Sequence, residues 1–200
     1  MADPAPAARF AGAVLAGGES SRLGRDKALV ELAGLTLAER AADALRGSGA
    51  APVAVIGGDV QGLAPLGLSV IRDGWPGRGP LGGILTAFAW SPLPIVAVLA
   101  CDLPFVGPNV VGALAEALDR SGGDAAVAYT TGREPLCALW RIERCEPAML
   151  AAFTAGERAV HRAAGSLAVC EVPVDRTFLL NVNTEDELSA AEARLAGPTA

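Results

Sequence analysis

Lysine is almost missing from this chain. Of sixteen basic residues in 200, fifteen are arginine and one, Lys27, is lysine. Histidine occurs once, at His161, so a structural zinc site is not expected, and the chain shows no Ser-His or Cys-His signature. Aromatics make up only 4% against 52% hydrophobic residues, so the core must be built from Ala, Val and Leu. The four cysteines, Cys101, Cys137, Cys145 and Cys170, show no C-x-x-C spacing; they read as buried free thiols in a reducing compartment. No apolar run reaches the roughly 18 residues of a membrane span. The strongest, "LPIVAVLAC", is ended by Asp102. Excess positive charge is lacking too: the net charge is -6 and the pI about 4.8, which disfavours a general nucleic-acid binder. An anionic ligand must then be held by a local cluster of cations. The opening "MADPAPAAR" has no basic region followed by an apolar one, so no signal peptide is expected. It reads as a disordered lead, the closing "GPTA" as a frayed tail, and the cytoplasm as the default location.

What is present alternates. Short β-like runs, "FAGAVLA", "PVAVIGG", "LSVIRD", "PIVAVLACD", "DAAVAYT", "PLCALWR", "LAVCEVPV" and "FLLNV", are separated by helical patterns. Thr36 with Glu39, and Thr184 with Glu187, stand at capping-box spacing at the head of two helices. "LGGILTAFAW" and the chain from Ile142 to Ala164 read as helical, and Val110, Val111, Leu114 and Leu118 share one helical face. The pattern predicts an α/β fold of one domain, a mostly parallel sheet with helices on both faces. In such sheets ligands bind beyond the carboxyl ends of strands, so the residues after each strand are the candidates.

After the first strand come Gly17 and Gly18, a tight turn or a phosphate cradle. Counting excludes two familiar motifs. Gly18 and Gly24 stand one residue too far apart for G-x-x-x-x-G-K-[ST], and no G-x-G-x-x-G occurs. The loop carries Arg22, Arg25 and Lys27 within six residues. In a chain that uses arginine elsewhere, a lone ammonium on a flexible stem suits a point contact to phosphate. Asp102, directly after the strongest strand, is a turn residue or a Mg²⁺ ligand; magnesium takes one or two protein carboxylates and completes its shell with phosphates and water. Asp73 is a turn residue or a nucleoside contact. "RGPLGGI" offers a second backbone approach at a helix start. Asn183, in "NVN", shapes a turn or faces the site, and "GER" places Arg158 on a loop within reach of an anion. His161 reads as a surface or packing residue.

Taken together, "LAGGESSRLGRDKA", "RDGWPGRGPLGGI", "CDLPF" and "LNVNTEDEL" resemble the molybdenum cofactor guanylyltransferases in order and spacing, from Phe10 to Leu195. The first motif alone is shared by many nucleotidyltransferases; the Gly-Gly pair and N-V-N-T resemble the GTP-using branch. The resemblance implies a three-layer α/β/α fold like that of the nucleotide-diphospho-sugar transferases. It also implies transfer of GMP from GTP to molybdenum-bound molybdopterin. By position, Leu15, Ala16, Gly17 and Gly18 would meet the nucleotide, Lys27 its phosphates, Asp73 the nucleoside and Asp102 the Mg²⁺. Arg22, Arg158, Asn181 and Asn183 would lie near the pterin phosphate, with Lys27, Arg22 and Asp102 the catalytic set. Cofactor-delivering or enzyme-maturation proteins would be partners; nucleic acid and membrane would not. Two positions depart from the family: Leu23 stands where Met is common, and "IGGD" follows the second strand where a polar nucleotide contact is often found. Readings left open are a cytidylyltransferase of the same pterin, a sugar-phosphate nucleotidyltransferase, and a nucleotide-binding module without catalysis.

Overall fold

The computed structural model describes residues 9–17 and 26–197. Gly18, Arg22 and Arg25, the lead and the tail beyond Gly197 lie outside the described residues. The strands are β1 (Ala11–Leu15), β2 (Glu31–Leu32), β3 (Leu35–Thr36), β4 (Val53–Ile56), β5 (Val70–Ile71), β6 (Ile95–Ala100), β7 (Ala125–Tyr129), β8 (Arg133–Arg141) and β9 (Val169–Pro173). The helices are α1 (Leu37–Gly47), α2 (Val60–Leu63), α3 (Pro80–Trp90), α4 (Pro108–Ser121), α5 (Ile142–Thr154), α6 (Val160–Ala163) and α7 (Glu185–Ala196).

Seven strands form one sheet in the order β5-β4-β1-β6-β8-β7-β9, and β2 pairs with β3 in a separate hairpin. The large sheet is mostly parallel. Only β8 runs against its neighbours β6 and β7. Period-two alternation divides the strands between two cores. Val14, Val55, Ala97 and Leu99 face α1 and α4; Ala13, Leu15, Val96 and Val98 face α3, α5 and α6. That is the expected three-layer arrangement. The near absence of aromatics is met by Ala and Val packing on both faces, with Trp140 the largest fully buried side chain.

The cap signals hold. Thr36 and Glu39 form a reciprocal capping box on α1, as do Thr184 and Glu187 on α7. The expected stripe of α4, Val110, Val111, Leu114 and Leu118, is buried. One expected strand is absent: "FLLNV" is a 3-10 turn (Arg176–Leu179) followed by irregular chain. The Asp175 carboxylate accepts from the Thr177 amide at 2.8 Å and bends the backbone there. Of the run only Val182 is fully buried, and its amide donates to the carbonyl of Asp102 at 3.0 Å, not to a sheet neighbour. His161 is exposed on α6, as expected.

Chain order places the site. From β1 the chain adds β4 and β5 on one side and returns to β6 on the other. The crevice therefore opens at the carboxyl ends around β1, the switch point of the sheet.

Candidate active site

Four strand ends supply the cleft: Gly17 follows β1, Gly57 and Gly58 follow β4, Arg72 and Asp73 follow β5, and Asp102 follows β6. The ladder continues past the strands and fixes these ends. The Ala16 amide donates to Ile56 at 3.1 Å, Gly57 to Ile71 at 2.9 Å, and Cys101 to Leu15 at 3.1 Å. The cleft holds about 1130 Å³ and has Leu15, Ala16 and Gly17 in its wall. The first turn of α3, Gly79 to Gly83, closes its far side, so the second glycine motif does approach the site.

"IGGD" makes the tightest part of the wall. Gly57 and Gly58 have φ of 76° and 77°, backbone that favours glycine. A Cβ on Gly58 would stand 3.0 Å from Ala16 Cβ and 2.9 Å from Leu63 Cδ1. No side chain fits at Gly58, and the residues of this stretch that line the cleft, Ile56, Gly57, Gly58 and Val60, carry no polar side chain; Asp59 caps the next helix instead.

Lys27, Asp102 and Asn183 meet. The Lys27 ammonium donates to Asp102 Oδ2 at 2.7 Å and to Asn183 Oδ1 at 2.5 Å. Both ends of the ion pair are mostly shielded, with side-chain exposures of 16% and 25%. Each partner is placed by local chemistry. Lys27 opens a 3-10 turn capped by Asp26, whose Oδ1 accepts from Ala28 and whose Oδ2 accepts from Asp59 beyond β4. Asn183 precedes the cap of α7, and its amide donates to Glu187 Oε2 at 2.6 Å. Asp102 accepts Val182 at its carbonyl. Three segments far apart in sequence are locked at one point of the cleft wall.

Asp73 lines the cleft and holds its own turn. Its Oδ1 accepts from the Trp75 amide (2.9 Å) and Thr86 Oγ1 (3.0 Å), a turn role, while a Cβ on Gly17 would lie 3.9 Å from its Oδ2. Arg158 lies apart from Asn181. Its guanidinium donates to the carbonyls of Phe153 and Glu157 and stacks 4.4 Å over the Phe153 ring, behind Gly79. Asn181 instead lines a second groove of about 750 Å³, with Phe105, Thr130, Glu134, Arg176 and Arg194. The two cavities share Asn183. Burial pushes the Glu134 carboxyl up, with the charge of Asp102 adding to it and the Leu136 amide opposing. Burial likewise pushes the Cys101 thiol, next to Asp102, up to about 12, so it is no thiolate nucleophile at neutral pH.

Sequence reasoning missed Arg72, which lines the cleft, and the clamps made by Asp26 and Glu187. Arg72 had a usable signal, its place directly after a strand. The Glu187 clamp lay within the capping-box spacing already read, one residue beyond it at Asn183; the bond from the Asp59 amide to Asp26 had no signal, because the fold brings those residues together.

Among the described residues no three His, Cys, Asp or Glu side chains gather into a metal centre. Two half-buried carboxylates line the cleft, Asp73, whose Oδ1 is taken up by the Trp75 amide and Thr86, and Asp102, which stands beside the Lys27 ammonium. That donor set fits a magnesium ion carried in by a triphosphate, which brings most of its own oxygen ligands.

Comparison with known proteins finds relatives that match most of the chain. The family profile of the MobA-like NTP transferase domain matches residues 12–169. A molybdenum cofactor guanylyltransferase from Rhodobacter capsulatus is 37% identical over 94% of this chain and 97% of its own length. The crystal structure of molybdopterin-guanine dinucleotide biosynthesis protein A from Archaeoglobus fulgidus superposes with a TM-score of 0.77 at 27% identity, covering 94% of this chain and 99% of that one. A cytidylyltransferase from Thermus thermophilus, acting on 2-C-methyl-D-erythritol 4-phosphate, shares the fold alone, with a TM-score of 0.70 at 20% identity over 92% and 98% of the two chains.

Proposed function

The chain belongs to the MobA-like NTP transferase family, among the molybdenum cofactor guanylyltransferases, and we propose that it transfers GMP from GTP to molybdenum-bound molybdopterin. The observation that carries this reading is the meeting of Lys27, Asp102 and Asn183 where the first cleft joins the second groove. A nucleotidyltransferase must bring two anionic substrates to one phosphorus. Two cavities sharing a wall that holds an ammonium, a carboxylate and an amide supply that junction.

In the reaction, an oxygen of the pterin phosphate attacks the α-phosphorus of GTP. A new P–O bond forms, the bond to the bridging oxygen breaks, and pyrophosphate leaves with the electron pair. The protein contributes positioning and charge neutralisation. Asp102 would hold Mg²⁺, which when bound neutralises triphosphate charge. Lys27 presents a point donor to phosphate oxygens, and its bond to Asn183 aims it before substrate arrives. Asp73 Oδ2, on the Gly17 side, accepts from the nucleoside, and Gly17 lets the backbone approach it closely. Asn181 and Asn183 orient the acceptor phosphate from the second groove. Arg22, outside the described residues, is assigned to charge on the transferring phosphate by the resemblance alone.

The test is pyrophosphate release with Mg²⁺ and molybdenum-bound molybdopterin, offering GTP, CTP, ATP and UTP in turn. Turnover with GTP is expected. Turnover with CTP in its place would move the chain to cytidylyl transfer, and binding without turnover of any nucleotide would leave a nucleotide-binding module.

A further inference from the structure

The stretch of wall after β4 offers a base no polar side chain: Ile56 is buried, Gly57 and Gly58 have none, and Val60 is apolar. The next strand end does. Arg72 follows β5, lines the cleft and is exposed, and its guanidinium has no hydrogen-bond or ion-pair partner among the described residues. Sheet order sets its distance from the phosphates. β5 lies three strand positions from β6, which carries Asp102. At the usual spacing the two strand ends are about 14 Å apart. That separation puts Arg72 at the nucleoside end of a triphosphate whose phosphates lie against Lys27 and Asp102.

We infer that Arg72 reads the guanine base, an assignment that rests on the guanylyl-transfer reading. A guanidinium only donates, through a planar fork. Guanine presents two adjacent acceptors, O6 and N7, which that fork matches; adenine sets an amino donor beside N7, and cytosine presents an amino donor at N4. An arginine set for the O6/N7 edge of a purine therefore favours guanine, meets the amino donor of adenine there, and finds no matched acceptor pair on the N4 edge of cytosine. Arg72 is a specificity residue of the cleft, and it supplies from β5 the polar contact that the cleft-lining residues after β4, Ile56, Gly57, Gly58 and Val60, do not.

Equilibrium binding with Mg²⁺ and without acceptor tests this on the full chain, using GTP, 7-deaza-GTP, ATP and CTP. Arg72→Ala is expected to weaken GTP by about tenfold to a hundredfold and to leave ATP and CTP within about threefold. The wild type should bind 7-deaza-GTP, which lacks the N7 acceptor, more weakly than GTP, and Arg72→Ala should not distinguish the two. Arg72→Lys keeps the charge but not the fork and should not restore the preference. Equal loss for all three natural nucleotides would make Arg72 a phosphate contact and overturn the inference. So would an unchanged GTP preference in Arg72→Ala, with the guanylyl reading intact. A wild type that prefers CTP would instead remove the guanylyl reading itself, and the inference with it.

Discussion

At the scale of single residues, the chain's one lysine is bound to both the carboxylate and the amide at the cleft junction. An ammonium can divide its protons between Asp102 Oδ2 and Asn183 Oδ1 as a compact point donor. A guanidinium would offer a rigid fork and a larger head. Lys27→Arg is therefore expected to lower kcat more than it raises KM for GTP, although the charge is kept. Lys27→Ala should lose about 10²–10³ in rate, the usual cost of removing one preorganised charged contact. Steady-state kinetics on both variants decides it, and rates within about threefold of wild type for both would remove Lys27 from the machinery. Asp102→Ala is expected to abolish Mg²⁺-dependent pyrophosphate release while the thermal melt stays within a few degrees, since the side chain is half-buried and leaves no large cavity. A variant that keeps near wild-type turnover would refute the metal role.

At the scale of elements, the N-terminus of α7 does two jobs with one carboxylate. Glu187 accepts from the Thr184 amide as the return half of a capping box and from the Asn183 amide at 2.6 Å. Thr184→Ala removes the other half, the acceptor for the Glu187 amide, and leaves Asn183 held. It should cost about 1 kcal/mol of stability and spare kcat. Glu187→Ala should lose a similar stability and also lower kcat, and Glu187→Gln, which keeps an acceptor, should recover most of that rate. Equal kcat losses in Thr184→Ala and Glu187→Ala would show that the helix end, and not the hold on Asn183, sets the rate. The capping boxes of α1 and α7 and the stripe of α4 were legible because they are local and obey one period. The β2–β3 hairpin was not. Its turn is Ala33–Gly34, with φ of 49° and 82°, and "AG" lacks the Asn or Asp that announces such turns. The reversal of β8 is forced by the short turn after β7, which cannot make a parallel crossover. Residues at strand ends were legible one at a time. That Lys27, Asp102 and Asn183 converge was not, because they are 75 and 156 positions apart and only the sheet order joins them. "FLLNV" misled because three apolar residues in a row, with Val182 beyond Asn181, suit a strand, while the fold buries only Val182 fully.

At the scale of the whole molecule, the composition makes alkaline stability a readout of the thiols. Lysine and tyrosine, which ordinarily titrate in that range, occur once each. Three of the four cysteines are buried, Cys101 and Cys137 in the core under α1 and α4 and Cys145 in the core under α3 and α5. Burial pushes all three thiols from an ordinary 9.0 up to about 12. The folded pKa values are raised, so between pH 9 and about 12 the native thiols keep protons that the unfolded chain has released. The unfolded state then binds fewer protons, and stability must fall as pH rises through that window. The contribution is fully present below pH 9. Each thiol that keeps its proton only in the native state contributes a slope of about 1.4 kcal/mol per pH unit, so three together give at most about 4. Urea unfolding at a series of pH values should show no loss from the thiols below pH 9 and the steepest loss between pH 9 and 12. Cys137→Ala will lower stability at neutral pH by leaving a small cavity. Its slope above pH 9 should nevertheless be shallower by about a third, because one of the three native protons is gone. An unchanged slope in that variant would place the alkaline loss in groups other than the buried thiols.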